Sequence, residues 1–508
     1  MESTGKSVRA VIFLLLFNSP LTLLSQELDS KGLDRYIKKA VSEFKVTGLS
    51  IAIIKDNETI YKNEFGWSDV ENEEKMVANT VFNIASLTKA FTAAAIGILV
   101  EEGKINWDTR VIEIIPDFEL SDPFISKHLN IEDILSHRSG LGTFYGDLLW
   151  YESSYSMNEV VNRMKYLPVI NDFRREYGYQ NCMYILAGEI IETVTGQSWS
   201  DFLYERFLYP LQMINTVTSS GDLKDHFTIA YPHLDGKKIN YTFPVGNPAA
   251  SVFSTVEDMS HWIEMFLNNG RWNNKKILGA ETIEKLTYPH LIRGLSEFQK
   301  LNGTQSRGYA LGWNTYDYAG HKILEHGGGM PGYISKIALV PEENFGFVIL
   351  TNSMSRLPQA LVYYLLDLML KDEPADWSET FLEYVSIGAS IEEEARNERI
   401  SSRVEGTQPS LPIADYVGIY NDIMYGEATV ELRNDILKLT LEPTAALFTG
   451  DMIHWHHDTF QIKFRDEYLP EGYITFSMDS YGKITGFKID LPNPDFHFFN
   501  LDFRRTSD

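Results

Sequence analysis

The sequence is poor in several features that would fix its class, beginning with cysteine. Cys182 is the single cysteine in 508 residues. No disulfide can therefore form within the chain, and the stability of the fold depends on its apolar core. Cys182 stands in the helix-like run NCMYILAGEIIETVTG. We expect it to be a small buried packing residue rather than a nucleophile.

Basic residues are also few: 45 lysines and arginines face 70 aspartates and glutamates, and the net charge is −25. Such a chain lacks the basic face that nucleic acids and anionic membranes require, so we expect neither as a partner. The sequence has no internal repeat, no low-complexity tract and, past the N-terminus, no apolar run long enough to span a membrane. A hydrophobic content of 44% indicates a globular protein, and the length exceeds one ordinary domain.

Residues 1–25 have the pattern of a secretory signal peptide. Lys6 and Arg9 precede the apolar stretch AVIFLLLFNSPLTLL, and the small Ser25 offers a cleavage site before Gln26. A retained membrane anchor is the alternative, but the apolar core is shorter than the roughly 20 residues of a span. The sequence predicts a secreted or periplasmic protein with no integral membrane span after cleavage, and it leaves the oligomeric state open.

From residue 26 to 371, strand patterns stand at both ends of a helical block. GLSIAIIKDNETIYKNEFGW is typical of a hairpin, because two β-rich runs flank the polar turn Asp56-Asn57-Glu58, and helical spacing dominates from about residue 88 to 300. Strand patterns return in GYALGWNTY, in HKILEHGGG and in YISKIALVPEENFGFVILTN, which turns at Pro341 to Phe345. We expect an α/β (α+β) domain in which N- and C-terminal strands close one antiparallel sheet, flanked by helices and interrupted by a helical subdomain.

The composition changes after residue 371. Residues 372–412 hold a charged, helix-like run, IEEEARNERISSRVEG, followed by the linker TQPSLP. Residues 413–508 then alternate in short strands separated by turns, as in ATVELRNDILKLTLE and GYITFSMDSYGKITGFKID. This pattern predicts a separate small all-β domain, folded as a barrel.

The pattern Ser-x-x-Lys occurs four times: at Ser3/Lys6, Ser42/Lys45, Ser86/Lys89 and Ser480/Lys483. Only the third opens a long run of small and apolar residues, LTKAFTAAAIGILVEEG, which is typical of a buried helix. A helix N-terminus stabilises a developing alkoxide, and Lys89 falls on the same helical face as Ser86. A buried lysine loses its charge readily and can then accept a proton. The pair is a candidate nucleophile and base; a helix cap followed by a solvated lysine is the alternative.

Two further elements carry groups suited to acyl transfer. Tyr179 and Asn181 stand just before a helical run and supply a phenol for proton transfer and an amide for hydrogen bonding. His326 opens the run HGGG at a predicted strand end, where glycines let a substrate approach the backbone. The alternative for the first element is that Tyr179 is a half-buried aromatic and Asn181 a helix cap. For the second, it is that His326 is a structural histidine next to a glycine bulge.

In this order the three motifs resemble those of the serine β-lactamase and penicillin-binding-protein superfamily. The closest resemblance is to its class C β-lactamase-like branch of D-aminopeptidases, D,D-peptidases and esterases. The family pattern Ser-x-x-Lys, Tyr-x-Asn, Lys/His-x-Gly reads here Ser86-Leu87-Thr88-Lys89, Tyr179-Gln180-Asn181 and His326-Gly327-Gly328. ILSHRSGL, YALGWN and GGGMPGYIS are also similar. The resemblance covers about residues 33 to 370 and implies a β-lactamase/transpeptidase-like fold; the C-terminal part resembles a lipocalin-like barrel of some members.

The resemblance implies a role for each of these residues. Ser86 would attack a carbonyl and form an acyl-enzyme, with Lys89 as its base or as the group that tunes one. Tyr179 would carry the proton to the leaving group and help to activate the deacylating water, and Asn181 would bind an amide of the acyl group. The N–H groups of Ser86 and Gly329 would form the oxyanion hole, where losing one donor lowers the rate roughly 100- to 1,000-fold.

His326 departs from the classical pattern, in which a lysine begins the third motif. A histidine is largely neutral at pH 7, so His326 and Gly328 would bind substrate without a permanent charge. His326 would orient Tyr179 or bond a substrate end. The leading expectation is an exported peptidase or esterase that needs no cofactor and acts on a small-molecule or peptide substrate. A true β-lactamase or D,D-carboxypeptidase is the alternative, and a non-catalytic binding protein on the same fold is another.

The remaining histidines suggest little chemistry. His454-Trp455-His456-His457 could place two imidazoles on one strand face, and Asp458 could add a ligand, but zinc needs three or four ligands and nothing nearby completes the set. We therefore predict no metal site. His137, in LSHRSG, is expected to pack a loop beneath the active site.

Overall fold

A computed structural model of the protein describes residues 28–240 and 245–506. The predicted signal peptide lies outside the described residues. Within the part of the chain that is described, no helix combines the length and apolarity needed to cross a membrane.

The helices lie mainly between the two strand-rich ends of the first domain. In chain order they are α1 (Ser30–Glu43), α2 (Thr88–Glu101), α3 (Val111–Ile114), α4 (Pro123–His128), α5 (Ile131–Leu135), α6 (Met157–Arg163), α7 (Asn181–Thr195), α8 (Trp199–Leu203), α9 (Val256–Leu267), α10 (Ala280–Thr287), α11 (Glu297–Leu301), α12 (Leu357–Leu370) and α13 (Trp377–Ser401).

In the described part of the chain, the strands form one large sheet, a closed barrel and three short pairs. They are β1 (Gly48–Lys55), β2 (Glu58–Asp69), β3 (Glu74–Lys75), β4 (Phe82–Asn83), β5 (His233–Leu234), β6 (Lys237–Lys238), β7 (Phe253–Ser254), β8 (Arg271–Trp272), β9 (Lys275–Lys276), β10 (Leu291–Ile292), β11 (Arg307–Tyr309), β12 (Asn314–Tyr318), β13 (His321–Met330), β14 (Tyr333–Val340), β15 (Phe345–Thr351), β16 (Gly418–Asp422), β17 (Gly426–Arg433), β18 (Ile436–Leu441), β19 (Thr449–His456), β20 (Thr459–Ile462), β21 (Gly472–Met478), β22 (Ile484–Asp490) and β23 (Phe503–Arg505).

The large sheet is antiparallel and joins strands from both ends of the first domain. Its order is β10-β11-β12-β13-β14-β15-β1-β2-β3. The register of the central pair sets Leu49 opposite Thr351 and Lys55 opposite Phe345, so N- and C-terminal strands lie side by side. Both predicted hairpins are present, with Asp56 and Asn57 turning the first in the left-handed conformation. The predicted closure of the sheet is confirmed.

The two faces of the sheet bury different helices because side chains alternate along each strand. On β1, Leu49, Ile51 and Ile53 pack into a core with α1 and α12, whereas Ala52 and Ile54 face the core that contains α2, α7 and α9. Helix α2 is buried nearly all round, since small residues let its neighbours approach closely. The helix that follows Ser86 is thus fixed in the interior of the domain.

One strand prediction needs correction. GYALGWNTY is not a single strand: β11 ends at Tyr309, β12 begins at Asn314, and a turn separates them. Gly312 in this turn has φ +84°, and an added Cβ would lie 3.0 Å from the carbonyl oxygen of Lys89. The close approach of the turn to α2 interrupts the strand, which alternation alone does not indicate.

The C-terminal strands β16–β23 close into a barrel, as predicted from their short alternating patterns. The barrel packs on the segment before and within α6. Tyr155 donates a 2.7 Å hydrogen bond to the carbonyl of Tyr425, and Arg163 donates one of 2.8 Å to that of Met424. The apolar cluster that contains α2 continues into the barrel interior. The domain limits at residues 371 and 412 remain predictions.

Candidate active site

Ser86 lies in a tight turn that leads directly into α2. The turn is a 3₁₀ segment, Ala85–Leu87, and Ala85 has φ +48°, an uncommon conformation for a residue with a side chain. The backbone N–H of Ala85 donates a 2.6 Å hydrogen bond to Oδ1 of Asn83, which holds the turn. Strand β13 passes so close behind that a Cβ on Gly328 would overlap the carbonyl oxygen of Ile84.

Lys89 lies beneath Ser86 and is fully buried. Its Nζ lies 3.0 Å from Oγ of Ser86, 2.6 Å from Oδ1 of Asn181 and 2.9 Å from the carbonyl oxygen of Ala249. Burial lowers the pKa of Lys89 to about 7, while the charge of Asp147 acts in the opposite direction. A substantial fraction of the side chain is therefore an uncharged amine at neutral pH.

Asn181 begins α7 and links Lys89 to a buried carboxylate. Its Nδ2 donates a 2.7 Å hydrogen bond to Oδ2 of Asp147, and Trp150 donates one of 2.9 Å to Oδ1. Burial raises the pKa of Asp147 to about 7, against the effects of these hydrogen bonds and of Lys89. The amide of Asn181 thus already serves two protein groups.

Tyr179 precedes Asn181 and faces the nucleophile. Burial raises the pKa of the Tyr179 phenol well above 10, and a hydrogen bond with the side chain of Ser86 partly opposes this shift. Nζ of Lys89 lies 4.8 Å from the centre of the Tyr179 ring. The phenol is therefore protonated at neutral pH and adjacent to both other groups.

His326 lies on β13 with both ring nitrogens engaged. Nδ1 lies 2.8 Å from the carbonyl oxygen of Gly327, which can only accept, so Nδ1 carries the proton and Nε2 accepts from the hydroxyl of Tyr309 at 3.0 Å. Burial and, next, the charge of Lys89 lower the pKa of His326 to about 3. The ring is neutral, and neither nitrogen bonds Tyr179.

These groups surround one cavity of about 560 Å³. Ser86, Tyr179, Asn181, His326 and Gly329 line it, whereas Lys89 lies behind Ser86 and Gly328 faces the turn before it. A Cβ on Gly329 would meet only Cδ1 of Ile334, at 3.5 Å. The other lining residues are Thr143, Phe144, Asp147, Trp150, Tyr177, Ala250, Arg293, Arg307, Asn314, Gly327, Met330, Pro331, Ile334, Met354, Tyr468, Asp495 and Phe496.

Comparison with known proteins agrees with this geometry. The family model described as "Beta-lactamase" matches residues 33–368, about two thirds of the chain. The chain belongs to the β-lactamase family of serine hydrolases. A second model, described as "Domain of unknown function (DUF3471)", matches residues 402–505, which include the barrel.

Relatives of this β-lactamase-family protein include fungal and prokaryotic proteins. The unguisins hydrolase ungD of Aspergillus violaceofuscus is 29% identical over 463 residues, 83% of this chain and 80% of its own. The octameric penicillin-binding protein homologue of Pyrococcus abyssi has a TM-score of 0.60 at 22% identity, covering 94% of this chain and 100% of its own. The D-amino acid amidase of Ochrobactrum anthropi has a TM-score of 0.52 at 22% identity, covering 63% and 91%. The two structures share the fold.

Several residues of this family member's site are absent from the motifs. Asp147 stands alone in GDLLW, and Arg293 and Arg307 flank a short helix. Tyr468, Asp495 and Phe496 come from the barrel. No local pattern marks any of them, because only the tertiary fold brings them to the cavity.

The histidines outside the three motifs lie in two places, beneath Tyr179 and in the barrel. His137 is fully buried beneath Tyr179, and its Nδ1 accepts a 3.1 Å hydrogen bond from the N–H of Gln180, as expected of a packing residue. In the barrel, Nε2 of His454 bonds the carbonyl of His457, and Nδ1 of His456 accepts from the N–H of Val404. Among the described residues, no group of three or more histidine, cysteine or acidic side chains is arranged to hold a metal.

Proposed function

We propose that this protein is an exported peptidase or esterase that cleaves an amide or ester bond through an acyl-enzyme on Ser86. The observation that carries the proposal is the set of partners around Nζ of Lys89. A neutral amine has two N–H donors and one lone pair. Two neighbours of Nζ, the carbonyl oxygens of Asn181 and Ala249, accept hydrogen bonds, and the third, Oγ of Ser86, can donate its proton.

The first step follows from this arrangement. The lone pair of Lys89 takes the hydroxyl proton of Ser86 as Oγ attacks the substrate carbonyl carbon. The N–H groups of Ser86 and Gly329 stabilise the oxyanion of the tetrahedral intermediate. The open space at Gly329 fits a role in which its backbone faces the substrate.

Tyr179 carries the second proton transfer. Its phenol is protonated and bonded to Ser86. It gives its proton to the leaving nitrogen or oxygen as the tetrahedral intermediate collapses, and the ammonium of Lys89 restores that proton. In deacylation the same proton transfers take place in the reverse direction, with water in place of the leaving group.

The neutral His326 favours a peptidase or esterase over a β-lactamase or D,D-carboxypeptidase. The latter two act on substrates with a carboxylate, which a charged lysine at this position suits. The names of the relatives, a hydrolase of unguisins and a D-amino acid amidase, agree with amide cleavage outside the β-lactam class. Because Ser86, Lys89 and Tyr179 are all present, a purely binding role is the weaker alternative.

A covalent label tests the proposal directly. A fluorophosphonate should add to Ser86, as seen by intact mass and peptide mapping, and Ser86→Ala should abolish the adduct. Lys89→Ala should slow labelling by orders of magnitude without loss of fold. An adduct that survives in Ser86→Ala would show that the nucleophile is wrong, and near-normal labelling of Lys89→Ala would remove Lys89 as the base.

A hydrolysis panel then separates the substrate classes. It should contain p-nitrophenyl esters, D- and L-aminoacyl amides, nitrocefin and a peptide ending in D-Ala-D-Ala. We expect turnover of esters or aminoacyl amides and little of the last two. Export is tested separately, by the N-terminal sequence of the protein recovered outside the cell: cleavage should leave Gln26 as the first residue.

A further inference from the structure

Part of the wall of the catalytic cavity belongs to the C-terminal barrel. Tyr468, Asp495 and Phe496 line the same cavity as Ser86 and Tyr179. Tyr468 lies in the loop between β20 and β21, and the other two lie in the loop between β22 and β23. Two loops of a domain without assigned function therefore reach the substrate space.

These barrel residues are held in place before any substrate binds. The backbone N–H groups of Asp495 and Phe496 donate hydrogen bonds of 2.8 and 3.0 Å to Oδ1 of Asn493. Phe496 is buried against Tyr151 of the first domain, with ring centres 4.4 Å apart. The hydroxyl of Tyr468 donates a 3.0 Å hydrogen bond to Oδ2 of Asp495. A carboxylate fixed in this way loses little conformational entropy when it binds a ligand.

Asp495 is an acidic side chain in the wall of the cavity. Across residues 28–240 and 245–506 it forms no salt bridge with a lysine, arginine or histidine. The aromatic rings of Phe144, Trp150 and Phe496 line the cavity with it. A carboxylate beside aromatic faces attracts an ammonium group both by charge and by cation–π contact.

Asp495 lies on the side of the cavity where Asn181 would bind the amide of the acyl group. Phe496, the next residue after Asp495, packs on Tyr151, and the neighbouring Trp150 donates a hydrogen bond to Asp147, which bonds Asn181. Arg293 and Arg307 also line the cavity, but Arg293 follows the edge strand β10 of the large sheet and Arg307 begins β11 beside it. Their positive charges disfavour an ammonium group near them, so we expect it to bind on the side of the cavity that the barrel lines.

We propose that Asp495 binds a free amino group on the acyl part of the substrate, so that the barrel selects aminoacyl amides or esters. Tyr468 holds the carboxylate in position. The proposal rests on the proposed function and narrows its substrate class to acyl groups that carry a positive charge.

The test compares substrates that differ only in this charge, with the full-length protein. The probes are the p-nitroanilides of D- and L-alanine, their N-acetyl derivatives and p-nitrophenyl acetate. We expect wild-type kcat/KM to be at least about tenfold higher for a free amine than for its N-acetyl form. Asp495→Asn should lower kcat/KM for the free amine about tenfold more than for its N-acetyl form, so that the preference for the free amine is lost. Tyr468→Phe should cause a smaller loss of the same kind.

Asp451→Asn is the matched control, because Asp451 is an exposed barrel carboxylate that does not line the cavity. It should leave kcat/KM unchanged for every substrate. A wild-type enzyme without preference for the free amine, or an Asp495→Asn variant that slows all substrates equally, overturns the inference. In either case Ser86-dependent hydrolysis of p-nitrophenyl acetate leaves the proposed function standing. If no substrate is hydrolysed in a Ser86-dependent way, the proposed function fails and this inference fails with it.

Discussion

Asn181 donates a 2.7 Å hydrogen bond to the carboxylate of Asp147, and this bond decides which end of its amide faces the active site. In its ionised form this carboxyl can only accept, so the amide nitrogen lies toward Asp147. The amide oxygen is then directed to Nζ of Lys89, at 2.6 Å. Asp147 thereby positions the candidate base without touching it.

Asp147→Ala should slow acylation of Ser86, because the amide of Asn181 is then free to turn. Losing one fixed hydrogen bond to the base corresponds to about 1–2 kcal/mol, or roughly tenfold in rate. Asp147→Asn keeps an acceptor at the same place and should retain most of the rate. The second-order rate of fluorophosphonate labelling measures both. Equal rates for Asp147→Ala and wild type would contradict the positioning role.

The acylation rate should rise with pH through about 7. Burial lowers the pKa of Lys89 to about 7, and only the deprotonated amine accepts the serine proton, so the active fraction increases above that pKa. The charge of Asp147 raises the pKa of Lys89. Asp147→Asn should therefore shift the midpoint of the labelling profile to lower pH. A midpoint that does not shift would show that the charge of Asp147 does not affect the pKa of Lys89.

His326→Lys should not convert the protein into a better β-lactamase. The site is fully buried, and Lys89 and Arg293 already disfavour a positive charge there. An uncompensated buried charge costs on the order of 3 kcal/mol, so Tm should fall. Nitrocefin turnover should stay at the wild-type level.

His321→Lys is the control for that substitution, because His321 begins the same strand but is partly exposed. Its Nδ1 lies 3.4 Å from Glu342 and 3.6 Å from Glu343, so a lysine there gains a counter-charge. Tm should remain close to wild type. A His326→Lys variant as stable as His321→Lys would mean that the buried site tolerates the charge.

A feature could be predicted from the sequence when the residues that form it are close together in the chain or share one repeating pattern. The apolar, β-rich runs of β1 and β15 predicted two buried strands, and their places at the two ends of the domain predicted that they close one sheet. Ser86 and Lys89 are one helical turn apart, so their contact is local. Asp147 and Asp495 could not be predicted as site residues, because isolated aspartates give no periodic signal and the packing of distant segments alone brings them to the cavity.

The two hydrogen bonds of the His326 ring could not be predicted from the sequence either. Its neutrality at pH 7 was expected from the ordinary pKa of histidine, but the physical cause is deep burial beside Lys89. Its ring makes no hydrogen bond to Tyr179, because Tyr309 and the carbonyl of Gly327 occupy the two nitrogens. Tyr309 is 17 residues earlier in the chain, so no local pattern in the sequence indicates this contact.

Gly328 and Gly329 should respond very differently to alanine. A Cβ on Gly328 would overlap the carbonyl oxygen of Ile84 and Oγ of Ser335, both of which are held by their own hydrogen bond to each other. Gly328→Ala must therefore displace the turn that carries Ser86, and we expect a loss of about 2 kcal/mol in stability with a much lower labelling rate. Gly329→Ala meets only Ile334, at 3.5 Å, and should keep the wild-type Tm. Thermal unfolding of the two variants, with labelling of Gly328→Ala, measures the difference. A Gly328→Ala protein with wild-type Tm and labelling would show that β13 does not support the nucleophile turn.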